Sequence, residues 1–367
     1  MAITQEIPKV GGEPPRPRGP RPGPRQTTLR FADERPTLYG SAAAALALVW
    51  VVYTQVLPFT GWFGFLLCWY GAFLFLYAFT TRLGNPWPVV VDRLASVAFR
   101  TAALIVAVAL ATTVAYTIYR GFPALRHLNF YTQDMSGVGP NDPLTQGGVL
   151  HAIVGTLIEI GIAIAVALPL GLTTAVYMTE VRGKLSRIVR TVVEAMTALP
   201  EILAGLFIYV VLIVQLGYPR SGFAAAVAIS VTMIPIIARS SEVALRVVPG
   251  GLREASLALG ASHWQTVRRV VLPTAKTGLA TALILGIARG IGEVAVVLIC
   301  SGASTYLTFD PFHEPMNSLP LYAFTAVRSG QEIAVTRGFG AASVLLVVVL
   351  VLFVTTRLLA RGQKGTR

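Results

Sequence analysis

Eight apolar stretches, each about long enough to cross a bilayer, dominate this 367-residue chain: 38–57, 60–81, 94–119, 149–178, 195–216, 221–238, 274–300 and 340–359. Crossing ~30 Å of hydrocarbon takes about 20 apolar residues in a helix. Lipid offers the backbone no hydrogen-bond partner, so helices that satisfy their own N–H and C=O groups are the expected elements. Over half the residues are apolar (54%), only 13% are charged, and mean hydropathy is +0.66. Soluble domains carry roughly 25% charged residues. The fold class is therefore an all-α polytopic membrane protein with eight spans.

The formal charge of +13 does not point to nucleic acid, because the basic residues gather at the ends of apolar spans and in the N-terminal tail. Placing the N-terminus in the cytoplasm and alternating puts 24 basic residues inside and five outside, with Arg289 left within a span. That asymmetry is the one the positive-inside rule expects. It makes both termini and the segment 239–273 cytoplasmic. The four histidines, His127, His151, His263 and His313, have no metal-ligand spacing, and Cys68 and Cys300 read as membrane-packed thiols.

Residues 1–37 hold seven prolines between Pro8 and Pro24 and seven basic residues from Lys9 to Arg35. Such a stretch cannot bury a core and is expected to be disordered on the cytoplasmic side. Residues 38–81 form a hairpin that turns around Pro58-Phe59-Thr60-Gly61, with Trp50, Trp62 and Trp69 as expected interface anchors. Two long outer segments, 120–148 and 301–338, are rich in turn formers, and the second carries a short helix near 321–329.

The segment 250–273 has an unusual amount of internal organisation for a cytoplasmic loop. Pro249-Gly250-Gly251 breaks the preceding helix, and 252–259 suits a short one. Gly260 stands where a helix C-terminus wants a left-handed residue. Ser262 and Gln265 make a Ser-x-x-Gln capping box that opens a second helix. Trp264, Val267 and Val271 fall on one face of it, and Pro273 fits the first turn of the next span. Helix, sharp turn, helix is the shape of a docking surface.

This pattern, Glu254-Ala255-Ser256, three residues, Gly260, nine residues, then Val270-x-Leu272-Pro273, resembles the EAA loop of ATP-binding-cassette importer permeases. Ser256 replaces the usual second Ala and Val270 the usual Ile. The resemblance implies that Glu254, Ala255, Ser256, Gly260, Ser262, Trp264, Leu272 and Pro273 couple this chain to a separate ATPase. No Gly-x-x-x-x-Gly-Lys-Ser/Thr occurs, so ATP and magnesium are expected on that partner and no cofactor in this chain.

Several charges lie inside apolar spans. Arg289 and Glu293 are four residues apart and are expected to share a helix face. A lone charge at mid-bilayer costs about 2.5–3.5 kcal/mol, so two on one face pair or line a polar path. Gly286, Gly290 and Gly292 keep the helix slim there. An arginine fork matches two oxygens of a tetrahedral oxyanion. Monohydrogen phosphate carries a hydroxyl that can donate to a carboxylate and sulfate has none, so Glu293 is expected to help tell them apart. A helix-packing ion pair is the plainer alternative. Glu159 sits in a second span beside Gly155, Thr156 and Gly161, with no partner readable.

Ala288-Arg289-Gly290-Ile291-Gly292-Glu293, with Ile237 to Glu242 and the stretch from Gly147, resembles phosphate importer permeases, and the Arg239 segment leans toward the PstA type over the PstC type. The resemblance covers about 94–360. It implies a type I-like core of six helices, to which 38–81 adds a hairpin of unassigned role. It also implies a PstC-type second permease, two PstB-type ATPase subunits and an extracytoplasmic PstS-type phosphate-binding protein. Arg239 and Glu242 would lie at the inner end of the path, and Glu201 stands where the family more often has Ser. An importer of another oxyanion or solute, and a proton-coupled secondary transporter, are the competing readings. No nucleophile–base or paired-carboxylate constellation suggests an enzyme.

Overall fold

In the computed structural model the residues described are 34–56, 61–181 and 183–361. The expected tail through Asp33 and the expected turn at Pro58-Phe59-Thr60 lie outside them. The chain divides into two compact units, one through Val108 and one from Ala109. Seven described helices are long and apolar enough to cross a membrane, and the pair Lys184–Thr197 and Glu201–Gln215, apolar enough together, is bent by 104°.

In the first unit, α1 (Glu34–Val51) runs on through one π turn, Val52–Val56, and pairs with α2 (Trp62–Gly84). The first helix thus begins inside the stretch expected to be tail. Ala45, Phe73, Tyr77 and Val97 form this unit's core. Ser41 and Thr80 share a 3.1 Å hydrogen bond between the two helices. Trp50 and Trp62 are exposed. Trp69 is not: its Nε1 donates to the Ala42 carbonyl at 3.2 Å, so that indole is spent on packing the hairpin.

α3 (Trp87–Leu125) is 39 residues long, about 58 Å at 1.5 Å per residue. It extends the expected 94–119 at both ends. In the second unit, a short α4 (Asn129–Thr132) precedes α5 (Leu150–Glu180). The expected span 195–216 is not one rod. α6 (Lys184–Thr197) stops, and α7 (Glu201–Ile208), prolonged by the π turn Tyr209–Gln215, leaves at 104° to it. Pro200 explains the corner, since it lacks an N–H and keeps Leu199 out of the helical region. An apolar run reports length and not direction, so the bend was invisible in hydropathy.

α8 (Gly222–Arg246) is the central helix, with Ala224, Ala225, Ala228, Met233 and Ile237 fully buried. It packs mainly on α5 and on α11. α9 (Gly250–Ala258) follows, then a continuous rod His263–Gly290 made of α10 (His263–Thr266), a π turn and α11 (Leu272–Gly290). The expected span 274–300 therefore breaks: residues 291–294 are non-helical before α12 (Ala295–Cys300). Two glycines make the α8–α11 contact possible. A Cβ on Gly286 would sit 2.5 Å from Ile237 Cγ1, and one on Gly290 2.5 Å from Met233 Sδ. Gly292 has no such neighbour and serves the turn instead.

α13 (Leu319–Arg328) matches the short helix expected near 321–329, and α14 (Glu332–Arg361) closes the bundle. The segments 129–149 and 301–322 are packed rather than open: Phe130, Met135, Val149, Leu319 and Tyr322 share one core. Met135 N–H donates to Thr305 O and Leu307 N–H to Asp134 Oδ2, both at 2.9 Å. Arg337 is 1% exposed and donates to the carbonyls of Gly139, Asp142, Pro143 and Gln146 at 2.9–3.2 Å. Nothing in its sequence context distinguished it from a surface arginine.

Candidate functional site

Arg289 is the centre of the membrane-depth charges. It lies in the last turn of α11, where the helix dipole favours a cation. Glu201, the first residue of α7, lies where the dipole favours an anion, and the two pair. Arg289 Nη1 is also 3.2 Å from Glu293 Oε1. The i,i+4 pair expected from the sequence thus exists, but not on a common helix face: α11 ends at Gly290 and Glu293 sits in the break.

The two carboxylates differ in access. The Glu201 side chain is 42% exposed and that of Glu293 only 1%. Arg289, Glu201, Thr197, Thr232 and Pro235 line a cavity of about 90 Å³, and Glu293 does not. Pro235 lacks an N–H, so the Val231 carbonyl one turn earlier loses its helical donor beside this cavity. The cavity thus sets one arginine fork beside an accessible carboxylate, a freed carbonyl and two threonine hydroxyls that donate to the carbonyls of Glu194 and Ile229. The bend at Pro200 and the stop at Gly290 are what bring Glu201 and Arg289, 88 positions apart in the numbering, together.

Glu242 and Arg239 form a different cluster. Glu242 is 1% exposed and bonded to three arginines: Arg190 at 2.7 Å, Arg239 at 2.8 Å and Arg246 at 2.6 Å. Arg239 also reaches Glu194 at 3.4 Å. This knot ties α6 to α8. Arg246 repeats at i+4 from Glu242 and was legible on that ground. Arg190 comes from another helix and was not. Glu159 is alone in α5, 1% exposed, and its Oε1 has no hydrogen-bond partner among the described residues. One turn above it, Gly155 lies against the Asn317 backbone and Thr156 Oγ1 accepts from Leu319 N–H at 2.8 Å. Gly161 has nothing within 4 Å and takes no part.

The segment 250–273 folds as helix, turn, helix. Gly260 has φ +81° and supplies the left-handed residue. The capping box is complete: Ser262 Oγ accepts from Gln265 N–H at 3.2 Å, and Gln265 Oε1 accepts from Ser262 N–H at 3.0 Å. α9 buries none of its residues, and Glu254, Ala255 and Leu259 are exposed. Ser256 bonds Thr266 across the turn at 2.9 Å. Trp264 departs from expectation. Val267 and Val271 are buried, but Trp264 is 65% exposed. Trp264 lies in the first turn of the rod, before the buried pair. Leu272 opens α11 and the exposed Pro273 occupies its first turn.

Residues 167–365 match the family described as binding-protein-dependent transport system inner membrane component. The chain is 40% identical over 249 residues to phosphate transport system permease protein PstA 1 of Mycobacterium tuberculosis, covering 65% of this chain and 81% of that protein. It is 31% identical over 250 residues to PstA of Haemophilus influenzae, covering 67% and 86%. The inward-facing MetNI methionine ABC transporter is a structural neighbour at 25% identity and TM-score 0.47, covering 59% of this chain and 94% of that one. The chain is a multi-pass membrane protein and belongs to the binding-protein-dependent transport system inner membrane components, among the PstA phosphate permeases.

Proposed function

We propose that this chain is one of the two permease halves of an ATP-driven importer of inorganic phosphate in the cell membrane. Its fellow subunits are a PstC-type permease, two PstB-type ATPases and an extracytoplasmic PstS-type phosphate-binding protein. Both termini and α9 face the cytoplasm; the 129–149 and 301–318 segments face out, toward the binding protein. The chain is not itself an enzyme and holds no cofactor, while ATP and magnesium act on the ATPase subunits.

The observation that carries this reading is the cavity shared by Arg289 and Glu201, in a chain 40% identical to a named phosphate permease. At rest Glu201 neutralises Arg289, which lowers the cost of a charge at membrane depth. An arriving hydrogen phosphate exchanges one partner for another. Its anionic oxygens take the guanidinium fork and its hydroxyl donates to the carboxylate. Sulfate lacks that hydroxyl and meets an unrelieved negative charge. Glu201 thereby takes the discriminating role that sequence reasoning assigned to Glu293. The deeper Glu293 holds the guanidinium in place from its buried side.

The test is uptake of inorganic phosphate into proteoliposomes by the co-expressed assembly, with ATP inside and binding protein outside. Saturable, ATP-dependent uptake that Arg289→Gln abolishes supports the proposal. ATP-independent uptake by this chain alone under a proton gradient would overturn it.

A further inference from the structure

α9 presents a puzzle of attachment. A helix that receives a push must be fixed to what it moves, yet α9 buries no side chain and contributes nothing to the apolar core beneath it, formed by Ala175, Leu245, Val248, Val271 and Ala275. Its packing neighbours are α10 and the π turn that open the rod to Gly290. By this packing its motion reaches α11, and its link to α8 is the short connector 247–249.

Arg253 changes that. Its Nη1 donates to Val248 O at 2.9 Å and its Nη2 to Leu245 O at 3.0 Å. Leu245 O, which also accepts from Val248 N–H at 3.3 Å, and Val248 O, two residues past the end of α8, lie where the helix dipole favours a cation. The same Nη2 is 3.1 Å from Glu180 Oε1, on the last residue of α5. A carboxylate at a helix C-terminus is disfavoured by the dipole, and Arg253 offsets that repulsion. Both side chains are less than a quarter exposed, so water screens the pair only partly. One guanidinium therefore holds the ends of α5 and α8 against α9. Ser256, through Thr266, holds α9 to the rod of α11.

We propose that Arg253 is a positioning residue that divides the ATPase stroke, carrying α9's displacement into the α5–α8 pair as well as into α11. This rests on the functional reading above, in which α9 docks on an ATPase. α8 carries Pro235 and Thr232 on one side of the anion cavity and α11 carries Arg289 on the other. Moving both together shifts them against the third wall, Glu201 and Ala204 of α7, and so opens or closes the site. Moving α11 alone would shear Arg289 past α8 without emptying it.

The experiment uses the whole assembly in proteoliposomes, with inorganic phosphate as the ligand. Arg253→Ala should still co-elute with the ATPase and hydrolyse ATP, but phosphate moved per ATP should fall about tenfold. Glu180→Gln keeps both carbonyl bonds and Arg253→Lys keeps only the charge, so each should fall in between. The structural readout is a spin-label pair, Leu252→Cys on α9 and Val181→Cys beyond α5, in a Cys68→Ser background. Its distance distribution should stay narrow with Arg253 and broaden in Arg253→Ala. Undiminished phosphate per ATP together with an unchanged distribution overturns the inference. If Arg253→Ala does not assemble, Glu180→Gln decides by the same two readouts. If the intact assembly shows no phosphate-stimulated hydrolysis, the functional reading has failed instead, and the spin-label pair still judges the tether.

Discussion

At the scale of single residues, environment separated side chains that composition could not. Glu201, Glu293, Glu242 and Glu159 are four glutamates in or beside apolar spans. One is accessible beside an arginine, one is buried against that same arginine, one is ringed by three arginines, and one is without a hydrogen-bonding partner among the described residues. Glu201→Gln should lower the preference for phosphate over sulfate roughly tenfold, the size of one charge-assisted hydrogen bond. Competition of sulfate against phosphate uptake measures it. Glu293→Gln should leave that ratio unchanged while lowering thermal stability in detergent; a changed ratio would return the discriminating role to Glu293. Arg337→Met should also destabilise, by roughly 3 kcal/mol, because it strips the side-chain donors from a set of buried carbonyls. A melting midpoint equal to the parent's would contradict the cage described around it. Arg289 and Glu293 were legible because charges are rare in apolar runs. Arg337 and Arg190 were not, because an arginine near a loop looks the same whether it faces solvent or four carbonyls.

At the scale of elements, local chemistry was the best guide. The α9 turn was readable because Gly260, Ser262 and Gln265 each satisfy a backbone need at a fixed offset. Gly260→Val forces a β-branched residue into the left-handed region, at about 1–2 kcal/mol, and should weaken ATPase retention on co-purification. Retention at the parental level would show that the turn's shape does not matter for docking. Gly286→Leu should drive α11 off α8, since no free volume faces that position. Phosphate uptake should be lost even where the assembly still purifies. Element ends were harder to place. The corner at Pro200 and the stop at Gly290 both fall inside continuous apolar runs, and hydropathy averages across such breaks.

At the scale of the whole molecule, the proposed topology rests on charge distribution and puts α9 on the cytoplasmic face. Leu259 is 89% exposed at the tip of that segment. A membrane-impermeant thiol reagent should label Leu259→Cys, in the Cys68→Ser background, in inside-out vesicles and not in intact cells; the opposite pattern would reverse the topology. The amino-acid sequence by itself determined that this chain crosses a membrane many times, where its apolar runs lie and how residues 250–273 turn. Each of these follows from the cost of putting polar groups in lipid or from backbone needs met within a few residues. Only the tertiary structure decided which charges on different helices meet. Glu201 finds Arg289, Arg190 finds Glu242 and Arg253 finds Glu180 because bent and broken helices bring distant residues to one place, and the strength of an ion pair depends on that distance rather than on separation along the chain.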